Sequence, residues 1–389
     1  MTELNTQTEE GSKTAADEAS RSRQRPDLKD HHPLKRPFLW LIHSKTIHFV
    51  AALYLLVLAI QLMKSGAAPI GARLEQTPLI TNAFSTLGFG WLLANIILSG
   101  SPVAIIALNL FSENVLTPLQ TFTMISGSRL GASFVVLLVG VIYSIRRPDK
   151  KRTIGMGVLA ISWSALVYVP GMFLGYAILR SGLMSGVNWV ASSEVSDLID
   201  IVWGPVVDFI KSVVPSGLLF VAGVLVILVA FKLLDRVLPE LDSEKQAAAR
   251  EHWLRKPWPM FALGCLAALL TLSVSVALTV LVPLAAKGHV TRRESIPYIA
   301  GANITTLADT LLVAMLLGES EAVQIVLTTA LAVTLITLAI LAFFYKPVTK
   351  GIMAVDDWVV SSVPRTVGFM IFLFLIPISL LAIGSAVGT

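Results

Sequence analysis

The chain has 389 residues, of which 55% are hydrophobic and 14% are charged, with a mean hydropathy of +0.75 and a formal net charge of +5. Soluble globular domains carry about 25% charged residues, so the composition excludes an ordinary soluble domain. Apolar runs of about 20 residues recur, and each could cross about 30 Å of hydrocarbon. The sequence therefore predicts an all-α, polytopic membrane protein.

Residues 1–36 are polar and are expected to form a disordered cytoplasmic tail. The tail is acidic at first and basic later, which favours contact with a membrane surface over nucleic-acid binding. No cleavable signal peptide is expected, because the first apolar run follows the tail. The single Cys265 excludes an intrachain disulfide. The sequence has no Cys/His cluster that would indicate a metal or another cofactor.

A first transmembrane repeat is predicted over residues 37–180. A span is followed by a helical hairpin, which polar and small residues interrupt at Ser99-Gly100-Ser101-Pro102. A helix broken at Gly127 and Gly131 comes next, and a clean span ends the repeat. These four elements are placed at 46–64, 79–112, 119–145 and 154–179.

The middle of the chain is predicted to be an extracellular or interfacial amphipathic region at 181–213, where acidic residues recur at near-helical spacing among Val, Ile and Trp. Residues 214–257 are expected to hold a span, at 214–237, and a charged cytoplasmic linker. Asp356-Asp357-Trp358 is interpreted as another interfacial segment of this kind.

The second transmembrane repeat is predicted over residues 258–345 and follows the same order of elements. Its hairpin, broken helix and span are placed at 258–286, 296–317 and 322–345. Residues 346–389 are expected to be a linker and a final apolar helix at 366–387, which either spans the membrane or folds back.

Matching segments recur in the two repeats at the same spacing. Leu98-Ser99-Gly100-Ser101 begins 29 residues before Gly127-Ser128-Arg129, and Leu272-Ser273-Val274-Ser275 begins 29 residues before Gly301-Ala302-Asn303. Polar and small residues weaken a membrane helix, so their recurrence at equivalent places indicates the substrate site of a transporter.

The orientation of the spans follows from the basic residues in the short loops, which favour the cytoplasmic side. All of these loops can be cytoplasmic only if both hairpins are re-entrant, the first opening outward and the second inward. Glu113 follows the first hairpin, and Lys287 follows the second 174 residues later. This charge reversal favours two inverted repeats in a multi-pass protein of the plasma membrane, with its N-terminus in the cytoplasm.

The second motif, Ser273-Val274-Ser275 followed by Gly301-Ala302-Asn303-Ile304-Thr305-Thr306, resembles the type II sodium/phosphate cotransporters and their bacterial relatives. That family has Gln-Ser-Ser-Ser in each half and a Gly-Ala-Asn-Ile-Gly-Thr-Thr-like break. Here Leu98 and Leu272 stand in place of the Gln residues, and Arg129 replaces the first Asn. The resemblance implies two inverted repeats that meet at a midplane site.

A hairpin tip offers backbone N–H groups and Ser hydroxyls to an anion that must exchange its hydration shell. The alternative is that small residues here only allow helices to approach closely. The resemblance makes the substrate inorganic phosphate or a similar oxyanion. The candidate substrate-binding residues are Ser99, Gly100, Ser101, Ser273, Val274, Ser275 and Arg129.

Sodium, the coupling ion that the resemblance implies, is held by oxygen ligands, and the candidates near the helix breaks are Ser128, Asn303, Thr305, Thr306 and Asp309. Asn303 could instead cap a broken helix. Asp309 is a cation or proton site, or the partner of Arg129. A central Arg costs at least about 2.5–3.5 kcal/mol by insertion scales, so Arg129 must face the protein interior or an aqueous cavity. It supplies a fixed positive charge that replaces one bound sodium and helps to hold the anion, or it forms a structural ion pair with Asp309, and both roles can hold in different states.

The leading interpretation is sodium-coupled symport of phosphate by alternating access. A sodium-independent or proton-coupled carrier of phosphate or another anion is the alternative, and so is a non-transporting regulator with this fold. No enzyme is expected, because the sequence has no HExxH motif, P-loop or Cys/His metal set. Membrane lipid is an expected partner, and the oligomeric state, a homodimer included, is left open.

Overall fold

The computed structural model describes residues 45–74, 76–146, 150–237, 256–271 and 273–387, and within these ranges every regular element is a helix. The all-α prediction is confirmed for these residues. The predicted tail at 1–36, most of the 239–257 linker and Leu272 lie outside them. The contacts given below belong to one compact unit that begins at His48.

Seven helical stretches of the described residues are long and apolar enough to cross a membrane, which supports a multi-pass membrane protein. They are Thr46–Leu74, Pro118–Ile145, Arg152–Ser181, Ser216–Leu234, Arg292–Leu316, Ser320–Val359 and Val363–Val387. The last predicted helix, at 366–387, is therefore long enough to span.

The first half of the chain forms six helices, with a two-helix hairpin where the sequence predicts one. The turn of this hairpin begins at Leu98, whose φ of 60° is left-handed, and Asn82 caps its first helix. Re-entrance of the hairpin into a membrane stays a prediction. The helices are α1 (Lys45–Leu74), α2 (Ala83–Ile97), α3 (Ser101–Ser112), α4 (Pro118–Ala132), α5 (Phe134–Arg146) and α6 (Lys150–Ser181).

The break between α4 and α5 lies at Ser133, not at Gly127 or Gly131 as the sequence suggests. Both glycines lie inside α4 and face α2. A Cβ on Gly127 would come within 2.2 Å of the Leu87 carbonyl oxygen, and one on Gly131 within 2.5 Å of that of Trp91. These glycines allow two helices to pack closely and do not end a helix.

The second half repeats the order of hairpin, broken helix and span, with its break at Thr306. Residues 346–359, predicted as part of a linker, are helical instead. The helices are α7 (Ser193–Val213), α8 (Ser216–Val237), α9 (Pro257–Thr271), α10 (Val274–Thr279), α11 (Leu281–Ala286), α12 (Arg292–Thr305), α13 (Leu307–Leu316), α14 (Ser320–Ala339), α15 (Tyr345–Val359) and α16 (Val363–Val387). A π-helical segment, Ile340–Phe344, joins α14 to α15.

Glycines 174 residues apart make equivalent contacts where α2 crosses α4 and where α9 crosses α12. In each case an added Cβ would come within 2.0–2.3 Å of a backbone carbonyl oxygen of the facing helix. The two helix pairs are thus packed alike, whereas the inversion of one repeat relative to the other stays a prediction. The contacts are Gly90 with Met124, Gly127 with Leu87, Gly264 with Tyr298 and Gly301 with Phe261.

The two segments predicted as interfacial differ in the structure. The acidic side chains of α7 are exposed, and Trp203 anchors this helix by donating a hydrogen bond to the Tyr54 carbonyl at 2.9 Å. Asp356, in contrast, is fully buried on α15 and pairs with Arg292 at 2.5 Å. Asp356 therefore faces the protein interior while its neighbours Asp357 and Trp358 are exposed, and the interfacial position of this segment stays a prediction.

Candidate functional site

The two serine-bearing hairpin tips touch each other. The Ser275 hydroxyl donates a hydrogen bond to the Leu98 carbonyl oxygen at 3.3 Å. Leu98 exposes this carbonyl because α2 ends there in a left-handed turn. In the other tip, the Ser273 hydroxyl accepts from the N–H of Val276 at 3.3 Å and so caps α10. Two motifs that are far apart in the sequence therefore meet at one place.

The first tip also lies against α4. Gly100 is buried, and a Cβ there would come within 2.8 Å of the Ser128 carbonyl oxygen. Ser99 is half-buried and Ser101 is buried. The middle position of this motif therefore has a packing reason to be glycine. Val274, at the equivalent position of the second tip, is buried as well.

Arg129 connects the first tip to the break of the second broken helix. Its side chain is 2% exposed, and Nη1 donates to the Ser101 hydroxyl at 3.3 Å and to the Thr306 hydroxyl at 2.9 Å. Nη2 donates to the hydroxyl of Thr310, one turn farther along α13. The guanidinium group thus lies between elements of both halves of the chain.

Asp309 is the acidic partner of this arginine. Its Oδ1 lies 3.5 Å from Nη2 of Arg129 and accepts hydrogen bonds from the N–H and, at 2.9 Å, from the hydroxyl of Thr310. Both charges are more than nine-tenths buried, and such a pair is costly to break because one charge is then left uncompensated. Within the described residues, Oδ2 of Asp309 and Nε of Arg129 have no hydrogen-bond partner.

An apolar cavity of about 400 Å³ reaches Asp309 from between α1, α8 and α13. Phe49 and Leu53 of α1 and Phe231 of α8 contribute to its wall, and Asp309 is the charged residue in its lining. The Asp309 side of the Arg129–Asp309 pair therefore borders this cavity.

Three of the predicted cation ligands form hydrogen bonds with groups other than the Arg129 side chain. The Asn303 amide donates to the Ile299 carbonyl at 2.9 Å, and its Oδ1 accepts from the Ser164 hydroxyl at 3.3 Å. The hydroxyls of Thr305 and Ser128 donate to backbone carbonyls, at 3.1 Å and 2.7 Å respectively. Asn303 thus joins α12 to α6, and Thr306 and Asp309 are the candidates that meet Arg129.

Sequence reasoning missed two contributors, Thr310 and Ser164. Thr310 follows Thr306 by four residues, so it lies on the same helical face, and that spacing was the available signal. Ser164 shares a 2.7 Å hydrogen bond with Ser133, at the first break, and also contacts Asn303. Nothing local in the sequence distinguishes Ser164 from other serines in apolar spans.

Residues 226–356, one third of the chain, match the family model described as Na⁺/Pi-cotransporter. The match covers the second hairpin motif and the break that carries Thr306 and Asp309, whereas Arg129 and the first hairpin precede it. The comparisons with curated proteins and with solved structures gave no match.

Proposed function

We propose that this chain belongs to the sodium/phosphate cotransporter family, that it carries inorganic phosphate across the plasma membrane and that it is driven by sodium. The family match over residues 226–356 and the apolar helices support a membrane transporter of phosphate. The observation that carries the proposal is the position of Arg129, whose guanidinium contacts the first serine tip and the second helix break together.

The anion would bind where the two tips meet. Arginine presents a planar fork of donors that matches two oxygens of a phosphate, and the hydroxyls of Ser101 and Ser275 would add further donors. Ser99 and Ser273, with the backbone at Gly100 and Val274, would complete the set at the helix N-termini. The uncommitted Nε–H of Arg129 is one donor that an oxyanion could engage without breaking an existing hydrogen bond.

Coupling would use the oxygens beside this anion site. The free Oδ2 of Asp309 and the hydroxyl of Thr306 are hard oxygen donors of the kind that sodium accepts, and Asp309 already compensates the arginine charge. Alternating access would then move one repeat against the other around the tips, so that sodium and phosphate are exposed to one side at a time.

A sodium-independent or proton-coupled carrier is the second candidate, and the Arg129–Asp309 pair specifically favours it. Arginine has no acceptor lone pair and cannot ligate a cation, so Arg129 puts a fixed positive charge in place of one mobile cation. The acid beside it could take up and release a proton instead of sodium.

Uptake of radiolabelled phosphate into proteoliposomes tests both candidates. We expect uptake that a sodium gradient stimulates, and loss of most uptake in Arg129→Asn together with a changed sodium dependence. Arg180→Gln, which removes an exposed arginine at the end of α6, is the matched control and should transport normally.

Phosphate uptake that a proton gradient stimulates and a sodium gradient does not would favour the sodium-independent or proton-coupled carrier. An absence of phosphate uptake with either gradient would overturn both. Unchanged sodium dependence and phosphate affinity in Arg129→Asn would exclude Arg129 from the anion site.

A further inference from the structure

We propose that a cleft on α15, remote from the Arg129 site, binds the headgroup of an anionic phospholipid. The cleft has a volume of about 550 Å³ and combines three cationic side chains with the side of one helix. We call it the α15 cleft. Its lining residues are Arg293, Lys346, Thr349, Lys350, Met353, Ala354 and Asp357.

The length of the preceding helix places the α15 cleft at headgroup depth. The stretch Ser320–Val359 has 40 residues, and at 1.5 Å per residue it would extend about 60 Å, twice the hydrocarbon thickness. The 25 residues up to Phe344 already extend about 37 Å. Lys346 and Lys350 follow within the next two turns, so they emerge where phosphate groups of lipids lie.

The charge balance of the cleft favours an anion. Arg293, Lys346 and Lys350 are exposed. The acid in the lining, Asp357, accepts a hydrogen bond at 2.8 Å from Nη1 of Arg292, an arginine that it shares with the buried Asp356. Three cations against one acid leave the lining with a net positive charge, and basic clusters just beyond a membrane helix attract acidic lipids.

Apolar side chains beside the cleft favour a lipid over a free phosphate ion. Phe343 is 79% exposed and Phe344 57% exposed, directly before Lys346. Trp358, one residue after Asp357, is also exposed. Aromatic side chains at the level of basic residues are typical of the membrane interface, where they contact acyl chains below a headgroup.

Thermal unfolding of the full-length protein in nonionic detergent tests this site. The probes are dioleoylphosphatidylglycerol, dioleoylphosphatidylcholine and inorganic phosphate. We expect the anionic lipid to raise the unfolding temperature and the zwitterionic lipid to do so much less. In the double variant K346Q/K350Q, the half-saturating concentration of anionic lipid should rise about 30-fold, since each lysine near a charged surface contributes about fivefold to binding.

Lys211→Gln is the matched control, because Lys211 is an exposed lysine on α7 and lies outside the cleft. It should respond to lipid like the unchanged protein. Arg293→Gln, a single exposed substitution, repeats the test if the double variant does not fold. Equal stabilisation by both lipids, an unchanged response to anionic lipid in the cleft variants, or stabilisation by inorganic phosphate that the cleft substitutions remove would each overturn the proposal.

Discussion

Arg129 carries its charge where its own helix gives no path to water, because Phe122–Ile125 and Phe134–Val141 flank it on either side. The sequence therefore required an interior partner or a cavity. The structure supplies Asp309 as the charged partner and three hydroxyls as acceptors. The buried guanidinium thus depends on acceptors from both halves of the chain.

A double-mutant cycle would measure this coupling. Arg129→Gln and Asp309→Asn should each lower the free energy of unfolding by about 3–5 kcal/mol, because each leaves a buried charge without its partner. The loss in free energy of unfolding of the double variant should be smaller than the sum of the two single-variant losses by about 0.5–3 kcal/mol. Unfolding in detergent is the measurement, with Arg180→Gln as the exposed control, and strictly additive losses would contradict the coupling.

Asp356 and Asp357 are adjacent acids with one arginine between them and very different environments. Both accept from Nη1 of Arg292, but Asp356 is fully buried and Asp357 is 61% exposed. Gly155 of α6 allows the approach, since a Cβ there would come within 2.9 Å of Oδ1 of Asp356. The buried carboxylate therefore fixes the start of α12 against α15 and α6.

We expect Asp356→Asn to destabilise the protein by about 1.5–3 kcal/mol, the range for a hydrogen bond to a charged group. Its neighbour Asp357→Asn is the matched control and should cost less than about 1 kcal/mol, as exposed ion pairs do. Thermal unfolding of the two variants side by side is the measurement. Equal effects would show that the burial of Asp356 has no energetic consequence.

At the scale of elements, the molecule is organised by helix pairs that cross very closely. In the first pair, Gly90 and Gly127 lie against backbone carbonyls of the facing helix. Gly264 and Gly301 make the equivalent contacts in the second pair. Small residues let the backbones of membrane helices approach, and dispersion contacts then hold the pair. Each crossing holds its hairpin against its broken helix, so the serine tips and the breaks are positioned together.

Gly127→Ala and Gly301→Ala should therefore each destabilise the protein by about 1–3 kcal/mol, because the added methyl group meets a backbone carbonyl that cannot rotate away. Gly368→Ala in α16 is the control, since a Cβ there meets no atom within 4 Å. That control should be neutral or slightly stabilising, as Gly→Ala is in an open helix. Similar unfolding temperatures for all three variants would contradict the close crossing.

For the whole molecule, the predicted inverted arrangement sets the side of the membrane on which each loop lies. The first hairpin should return to the outer side, before Glu113, and the second to the cytoplasmic side, before Lys287. The repeated order of elements and the equivalent glycine contacts support two related halves. Opposite orientation of these halves would place the two serine tips at one depth from opposite sides.

Cysteine accessibility tests this arrangement. In a Cys265→Ala background, Glu113→Cys should react with a membrane-impermeant maleimide added outside intact cells. Lys287→Cys should react only after the membrane is opened, because its loop is predicted to be cytoplasmic. Labelling of both positions from the same side would contradict the inverted repeats.

The sequence by itself determined the helical membrane class, the hairpin turn near Ser99, the presence of one interrupted helix in each half, though not the position of the first interruption, and the need of Arg129 for an interior partner. These properties depend on hydrophobic runs, local propensity and the cost of burying charge, all of which act over a few turns.

Tertiary structure alone decided that Thr310 joins Asp309 around Arg129, that Gly127 packs instead of breaking a helix, and that Asp356 is buried. The physical reason is that these contacts join residues far apart in the sequence, such as Arg129 with Thr310, across an interval of 181 residues. Which side chains meet at such a distance depends on how whole helices cross, and that is a property of the packed molecule.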